Sequence, residues 1–447
     1  MATRIAQITD IHLRYNIPGP PSLGARRGRE MPTLLAAALN DLKSENIDGL
    51  VLTGDLVDAP RWLWKENFYF DDDFEWWKNR VEEDYHLIKN LLHDLPFPSW
   101  VLPGNHDYPP SFRRVFGGSW GPQNCGEYQL YGFADWPWRG SQGRRLQQER
   151  LLFDAALKNP APQIHFQHYL VAPHIHVNYP YNYEEHNELL QRVRAASQIK
   201  ALIQGHYHAG ESISFPRKNS SPLDIITGKA FSDSPHFYTV YEFSDKNSAF
   251  TEKTILGEKT STRPAVFLDR DGVLSAEPTY FAGPHNFNLL PGAGQALKKV
   301  AELGYALILV SNQTSIGLGY STKDIVQWTF DQISRKLSQD QVHFDGIYYS
   351  EGAGNRAVLP EFNHQKNVKP DPGFLNAAAK HHHIDLNRSW FVGDRISDIE
   401  CAQNAGVKPL LVKTGFGTQH AQMLGTRCPP CLSSLLDLPE YLIMAKH

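Results

Sequence analysis

Short apolar runs recur along the chain, each closing on polar or acidic residues, with helical patterns between them. RIAQITD, GLVLTGD, WVLPGNHD, QIHFQHY and ALIQGHYH make a first set. It closes on DIITGKAFSDSPHFYTVYEF, whose alternation with period two predicts sheet strands. A second set runs through AVFLDRD, ALILVSNQ, DGIYYSE, WFVGDR and PLLVKTG, interleaved with helical segments such as GAGQALKKVAELG. Strands alternating with helices predict a doubly wound parallel sheet. Between the sets, the polar stretch SDKNSAFTEKTILGEKTSTRP (244–264) predicts an edge strand and a linker. The expected division is therefore 1–257 and 258–447. The halves share no motif, which points to fusion rather than duplication.

Composition adds limits. A chain of 447 residues exceeds one ordinary domain. Its hydrophobic content of 41% and aromatic content of 12% suffice for folded cores. The net charge of −4 provides no basic field for a long nucleic acid or a membrane surface. A short nucleotide is not excluded. The start, MATRIAQITD, lacks a basic region followed by an apolar signal stretch, and no apolar run reaches membrane-spanning length. Together with four cysteines, this leads us to expect a cytoplasmic protein without membrane partners. Cys428-Pro-Pro-Cys431 has the spacing of a redox pair or half a zinc site, and no second pair completes a tetrahedron.

The candidate chemistry of the first half lies where its apolar runs end. Asp10-Ile-His12, Gly54-Asp55, Gly104-Asn105-His106-Asp107, His168 and Gly205-His206-Tyr-His208 follow one another in order. Carboxylate and amide oxygens mixed with imidazoles suit a pair of divalent transition metals such as Mn, Fe or Zn. Two such ions about 4 Å apart can clamp phosphoryl oxygens and activate a water nucleophile. A lone Asp-x-His would mean little; five motifs in order, each after an apolar run, mean much more. His168 is the least secure member, because His165, His174 and His176 are near it.

This array resembles the calcineurin-like metallophosphoesterases, in particular their cyclic-nucleotide phosphodiesterase-type branch, over roughly residues 1–250. The resemblance implies an αββα sandwich. It implies that Asp10, His12 and His208 hold one metal, that Asn105, His168 and His206 hold the other, and that Asp55 bridges them. His106 would protonate the leaving oxygen, with Asp107 orienting its ring. The family's protein Ser/Thr phosphatases carry an Arg-Gly pair after this aspartate, where the present text is GDLVDAP, so that role is disfavoured.

In the second half, VFLDRDGVL delivers Asp269 to a strand end with Asp271 two residues on, and Gly272 lets the chain turn away. Ser311 and Asn312 end LILVSNQ and can hydrogen-bond a phosphoryl group. Lys369, before Pro-Asp-Pro, brings a cation, and WFVGDRISD ends on Asp394, followed by Arg395 and Asp398.

These motifs are similar to those of the haloacid dehalogenase superfamily over about 264–420, with flanking text closest to its histidinol-phosphate and heptose-bisphosphate phosphatases. That implies a Rossmann-like sheet, and the motif spacings leave no room for a large cap. It implies Asp269 as nucleophile, Asp271 as acid and base, Ser311 and Lys369 as aids to catalysis, and Asn312 and Arg395 as substrate contacts. Mg would be held by Asp269, Asp394 and the carbonyl of Asp271, with Asp398 behind them. The heptose branch has a zinc loop of Cys and His before its Lys-Pro motif. Here 351–373 reads EGAGNRAVLPEFNHQKNVKPDPG, with His364, no cysteine, and Val368 where an arginine is usual. Structural zinc is therefore not expected, and the heptose substrate is put in doubt.

Three features carry less. The aromatic stretch 61–77 is read either as a platform for a base or sugar or as packing. Arg26, Arg27 and Arg29 are read as phosphate contacts or solvated surface, and His381–His383 as surface. The expected protein is a bifunctional phosphohydrolase for small-molecule phosphoesters, such as a nucleotide or sugar-phosphate conjugate. A nucleic-acid end is less favoured. The alternatives are two independent phosphatases, the second acting on a sugar phosphate, or one domain reduced to binding or regulation. Oligomeric state is not legible in the sequence.

Overall fold

The computed structural model describes residues 2–21, 26–65, 74–137, 142–173, 182–218, 220–244, 248–255, 262–276, 288–364 and 366–445. The chain divides into two compact units. The first comprises Met1–Ile17, Gly28–Ala59 and Asp73–Lys259; the second comprises Pro18–Arg27, Pro60–Asp72 and Thr260–His447. The expected division at 257/258 lies outside the described residues, as do His174 and His176. No helix among the described residues is long and apolar enough to cross a membrane.

In chain order the first unit carries β1 (Thr3–Ile8), β2 (Gly49–Thr53), β3 (Ser99–Leu102), β4 (Trp120–Cys125), β5 (Tyr128–Gly132), the short pair β6 (Trp136–Pro137) and β7 (Gly143–Arg144), β8 (Gln163–Phe166), β9 (Ile199–Gln204), β10 (Glu211–Phe215), β11 (Leu223–Thr227), β12 (Phe237–Phe243) and β13 (Ser248–Thr254). One sheet is ordered β13-β12-β1-β2-β3 and the other β10-β11-β9-β8-β5-β4. Their facing sides share a core of Ile5, Val51, Leu102, Leu130, Ile164, Ala201, Ile203 and Tyr241. Helices cover the outer faces. Leu35, Leu39 and Leu42 of Met31–Ser44 and Trp77, Val81 and Ile88 of Phe74–His93 are buried. Phe153 and Leu189, from two further helices, join Tyr131, Leu202 and Ile225 in a second core. The architecture is the αββα sandwich. β2 is buried along its whole length, which explains why GLVLT reads as an unbroken apolar run.

The second unit is built on β14 (Ala265–Leu268), β15 (Ala306–Asn312), β16 (Gly346–Ser350), β17 (Trp390–Gly393), β18 (Lys408–Val412) and β19 (Cys431–Leu432). All pair in parallel, in the order β16-β15-β14-β17-β18-β19. Side chains alternate between two cores. Val266, Leu268, Leu307 and Val392 face one, while Ala265, Phe267, Ile308 and Phe391 face the other. Helices Ala293–Glu302 and Lys323–Gln339 close the first core, and Gly373–His382 and Ile396–Asn404 the second. This is the doubly wound sheet.

Of the aromatic stretch, 66–73 lies outside the described residues. Trp62 and Trp77 are fully buried, and Trp62 Nε1 donates to Asp331 Oδ2 at 2.9 Å within the second unit. Those two indoles pack and do not present a platform. The His381–His383 run also differs from expectation. It ends a helix lying against β16, and the Tyr348 hydroxyl is 3.0 Å from His381 Nδ1 and 3.2 Å from His382 Nε2.

Candidate active sites

Strand register assembles the first site. Ile8 pairs with Leu52, and Leu52 with Val101, so the segments leaving β1, β2 and β3 emerge side by side. In the other sheet Phe166 pairs with Ile203, which brings the segments after β8 and β9 together. Asp10, Asp55, His168 and His206 converge, as do Asp10, His12 and His208. Asp10, His12, Asp55 and His206 have φ of 55°, 50°, 51° and 74°. Left-handed backbone at a non-glycine residue costs on the order of 1–3 kcal/mol, so this edge holds its side chains under strain.

The hydrogen bonds show what the site is built to hold. Asp10 Oδ2 accepts from Thr9 Oγ1 (2.7 Å) and from the amide of His206 (3.0 Å). Its other oxygen is buried without a hydrogen-bond partner, 3.7 Å from His208 Nε2 and 4.0 Å from His12 Nε2. A buried anionic oxygen facing two imidazole nitrogens fits a cation between them. His208 Nδ1 lies 3.1 Å from Asp233 Oδ2, which turns Nε2 inward. His168 Nδ1 donates to Thr53 O at 2.7 Å. Its Nε2 then points at Asn105 Oδ1 (3.2 Å), His206 Nδ1 (3.1 Å) and Asp55 Oδ1 (3.5 Å). Asp55 faces both groups, since its Oδ2 is 3.6 Å from His12 Nε2.

Charge follows the same pattern. Burial would push the His168 ring down, but Asp55 and Asp10 push it up to about 9. Burial and the neighbouring His168 hold His206 well below the usual imidazole range. Burial would raise Asp55, yet the rings of His168, His106 and His12 keep it well below the usual carboxylate range. Asp55 is thus kept anionic among imidazoles, an environment that suits a cation.

One expectation is corrected. The ring of His106 is oriented by Asp58, whose Oδ1 lies 2.6 Å from Nδ1, and not by Asp107. Asp107 is turned into the loop, accepting from the amides of Leu56 (3.2 Å), Val57 (3.1 Å) and Gly104 (2.8 Å) and from the Tyr85 hydroxyl (3.1 Å). Burial, reinforced by Asp55, pushes Asp107 up to about 7. Asp58 was present in GDLVDAP, three residues after Asp55; only the fold brings it to His106.

In the second site Lys369 is buried, with Nζ 2.9 Å from Asp269 Oδ1, 2.7 Å from Asp398 Oδ1 and 3.2 Å from Val310 O. Burial would lower its ammonium, but the two carboxylates hold it above its ordinary value. Asp269, Asp394 and Asp398 form a buried cluster. Burial pushes Asp269 up to about 7 against the pull of Lys369. It pushes Asp394 to about 7 against the Phe416 amide, 2.8 Å from Asp394 Oδ2. Asp394 Oδ1 is buried without a hydrogen-bond partner, a donor arrangement that suits a hard cation such as Mg. Gly272 and Gly415 have φ of 76° and 56°, and a Cβ on either would run into the Asp394 carboxylate. Asn312 Nδ2 donates to Lys369 O (3.2 Å) and Oδ1 accepts from Lys369 N (2.9 Å), so it positions the lysine. Asp398, expected behind the ligands, is the partner of Lys369. Ser311 Oγ accepts from Gln313 Nε2 at 2.8 Å. Arg395 stands at the rim, its guanidinium carbon 4.3 Å from the Phe416 ring centroid and its Nε 3.8 Å from Asp394 Oδ1. The carboxylate of Asp271 is held by Arg270.

Comparison with known proteins agrees with both halves. A calcineurin-like phosphoesterase family model matches residues 3–210, and a HAD-hydrolase-like model matches 367–438. D-glycero-beta-D-manno-heptose-1,7-bisphosphate 7-phosphatase of Vibrio cholerae is 33% identical over 190 residues, covering 41% of this chain and 98% of the relative. The chain joins a calcineurin-like phosphoesterase domain to a HAD-superfamily phosphatase domain. Among solved structures, the heptose 1,7-bisphosphate phosphatase of B. bronchiseptica, complexed with magnesium and phosphate, is 26% identical (TM-score 0.37; 41% of this chain, 99% of that one). A dimetal phosphatase from Danio rerio is 14% identical (TM-score 0.44; 57% and 96%). Both domains of this HAD-containing phosphoesterase are hydrolases of metal-dependent families.

Proposed function

We propose that the protein hydrolyses phosphoesters at two sites, a diester at the first and the resulting monoester at the second. What carries this reading is that one chain holds both sets of groups complete, each with a buried coordinating oxygen left for a cation, Asp10 Oδ1 and Asp394 Oδ1. Divalent ions held by Asp10, His12, Asp55, Asn105, His168, His206 and His208, and by Asp269 and Asp394, would neutralise phosphoryl oxygens when bound. At the first site His106, steadied by Asp58, gives its proton to the leaving oxygen. At the second, an Asp269 oxygen bonds phosphorus as the ester P–O bond breaks, and Asp271 protonates the departing alcohol. Asp271 then takes a proton from water attacking the aspartyl-phosphate, and Asp269 is regenerated with release of phosphate. Lys369 balances the charge gathered around Asp269.

The substrate we favour is a nucleotide or sugar-phosphate conjugate. The named relative acts on a heptose bisphosphate, but the cysteine-free 351–364 segment and Val368 argue against transfer of that substrate. A phosphoester panel assayed with wild type, Asp55→Ala and Asp269→Asn tests the proposal. Diester cleavage should fall with the first variant, monoester cleavage with the second, and the monoester should accumulate in the second when a diester is supplied. An unimpaired two-step conversion by Asp269→Asn would refute sequential action and leave two independent phosphatases.

A further inference from the structure

Phosphoester chemistry at the two sites leaves one motif of the sequence unused. Cys428-Pro-Pro-Cys431 lies at the edge of the second unit's sheet, where Cys431 opens β19 opposite Leu411 of β18. Two backbone hydrogen bonds hold this loop on β18: Leu411 N donates to Pro430 O (3.1 Å) and Lys413 N to Leu432 O (2.9 Å). Cys428 N donates to Gly425 O at 3.2 Å, and the two intervening prolines have fixed φ, so the loop has little freedom to open. Across it, the Cys428 and Cys431 side chains hydrogen-bond each other. Both thiols are reduced and partly exposed, whereas Cys125 and Cys401 are reduced and buried.

Two thiols held together on an accessible edge can serve as a structural cross-link, as half of a zinc site, or as an exchanging dithiol. A cross-link gains little here, because closing so short a loop removes little entropy from the unfolded chain. Zinc needs further ligands, and among the described residues neither cysteine belongs to a group of three or more metal-ligating side chains. Exchange needs thiols that meet without backbone movement and that a reagent can reach. Both conditions hold. The other two thiols do not compete, since burial pushes Cys125 and Cys401 each up to about 12. Burial, then the neighbouring Cys428, raises the Cys431 thiol too, against the pull of the Lys413 ammonium.

We propose that Cys428 and Cys431 form a dithiol that exchanges reversibly with small-molecule disulfides. One protein thiolate attacks a sulfur of the disulfide, forming a mixed S–S bond as one small thiolate leaves. The second protein thiolate attacks the protein sulfur of that bond, closing the Cys428–Cys431 disulfide and expelling the other small thiolate. The two expelled thiolates take up the two protons that the protein thiols lost. Two protein thiols are thereby oxidised, and one small disulfide is reduced to two thiols.

The test equilibrates the full-length protein with oxidised and reduced glutathione at several ratios, then unfolds it in N-ethylmaleimide and weighs the chain and its peptides. Oxidation should remove two of the four alkylations, both from the peptide carrying 428–431, which becomes lighter by two hydrogens. Dithiothreitol should restore both. Cys428→Ser and Cys431→Ser should each stop at a glutathione adduct on the remaining thiol, an adduct that the wild type resolves. Neither cysteine belongs to the candidate active sites, so both variants should keep wild-type phosphoester hydrolysis, which shows that they fold. Four alkylations in the wild type at every ratio would overturn the proposal. So would a glutathione adduct that persists in the wild type, or stoichiometric zinc that Cys431→Ser no longer holds.

Discussion

Asp58 and His106 meet at 2.6 Å, with Asp58 fully buried and the His106 ring partly exposed. A buried carboxylate behind a half-open imidazole fixes the tautomer and aims Nε2 outward. Asp58→Asn should therefore lower kcat about 100-fold on a diester with an alkyl leaving group. On bis-p-nitrophenyl phosphate, whose leaving group needs no proton, the loss should be small. Asp107→Asn should instead lower thermal stability, because its carboxylate braces the amides of Leu56, Val57 and Gly104. Steady-state kinetics on the two diesters, with melting curves for both variants, would separate these roles.

Gly415→Ala places a methyl group against the Asp394 carboxylate and the Gly272 backbone. The expected result is a roughly 10–100-fold rise in the Mg²⁺ needed for monoester hydrolysis. Diester cleavage by the first unit should be unchanged, which a Mg²⁺ titration of both activities would reveal.

Lys369→Met leaves Asp269 and Asp398 buried without their ammonium partner. Breaking such a group costs about 3–5 kcal/mol. In urea unfolding the transition of the second unit should weaken by that order. Added Mg²⁺ should restore more stability to the variant than it adds to wild type, since it supplies the missing charge.

His165 offers a pH prediction away from the metal ligands. It is fully buried against Tyr131 and Phe133, with Nε2 2.8 Å from Gln163 Oε1. Burial, then the charge of Arg145, pushes its ring down to about 3 from the ordinary 6.5. Above 6.5 neither folded nor unfolded ring is charged, and its contribution to stability is fully present. As pH falls from 6.5 toward 3 the unfolded ring binds a proton that the folded one refuses. Stability is then lost at up to about 1.4 kcal/mol per pH unit. His165→Gln should flatten the slope by about one proton, as read from denaturant unfolding at several pH values in that window; an unchanged slope would contradict it.

The strand-end motifs were legible because parallel strands leave their carboxyl ends side by side, so ligand residues directly after apolar runs must gather. Alternation and continuous burial likewise announced both sheets. Asp58 was not legible, since nothing in the sequence tells which of two nearby carboxylates meets His106. The bonds of Asn312 to the Lys369 backbone were not legible either, because an amide that suits a phosphate suits a backbone equally well. The inclusion of Pro18–Arg27 and Pro60–Asp72 in the second unit left no periodic trace. Neither did the Arg270–Asp271 pair, because bidentate pairing depends on side-chain geometry.

The first site draws its candidate ligands from both layers of the sandwich. Asp10, Asp55 and Asn105 follow strands of one sheet, while His168, His206 and His208 follow strands of the other. Ions seated among them would act as rivets across the seam between the sheets. Binding the folded chain and not the unfolded one, each would add its binding free energy to the stability of the sandwich. Metal supply would then set two things at once: how fast the protein turns over its substrate, and how long a molecule survives before it unfolds and is degraded.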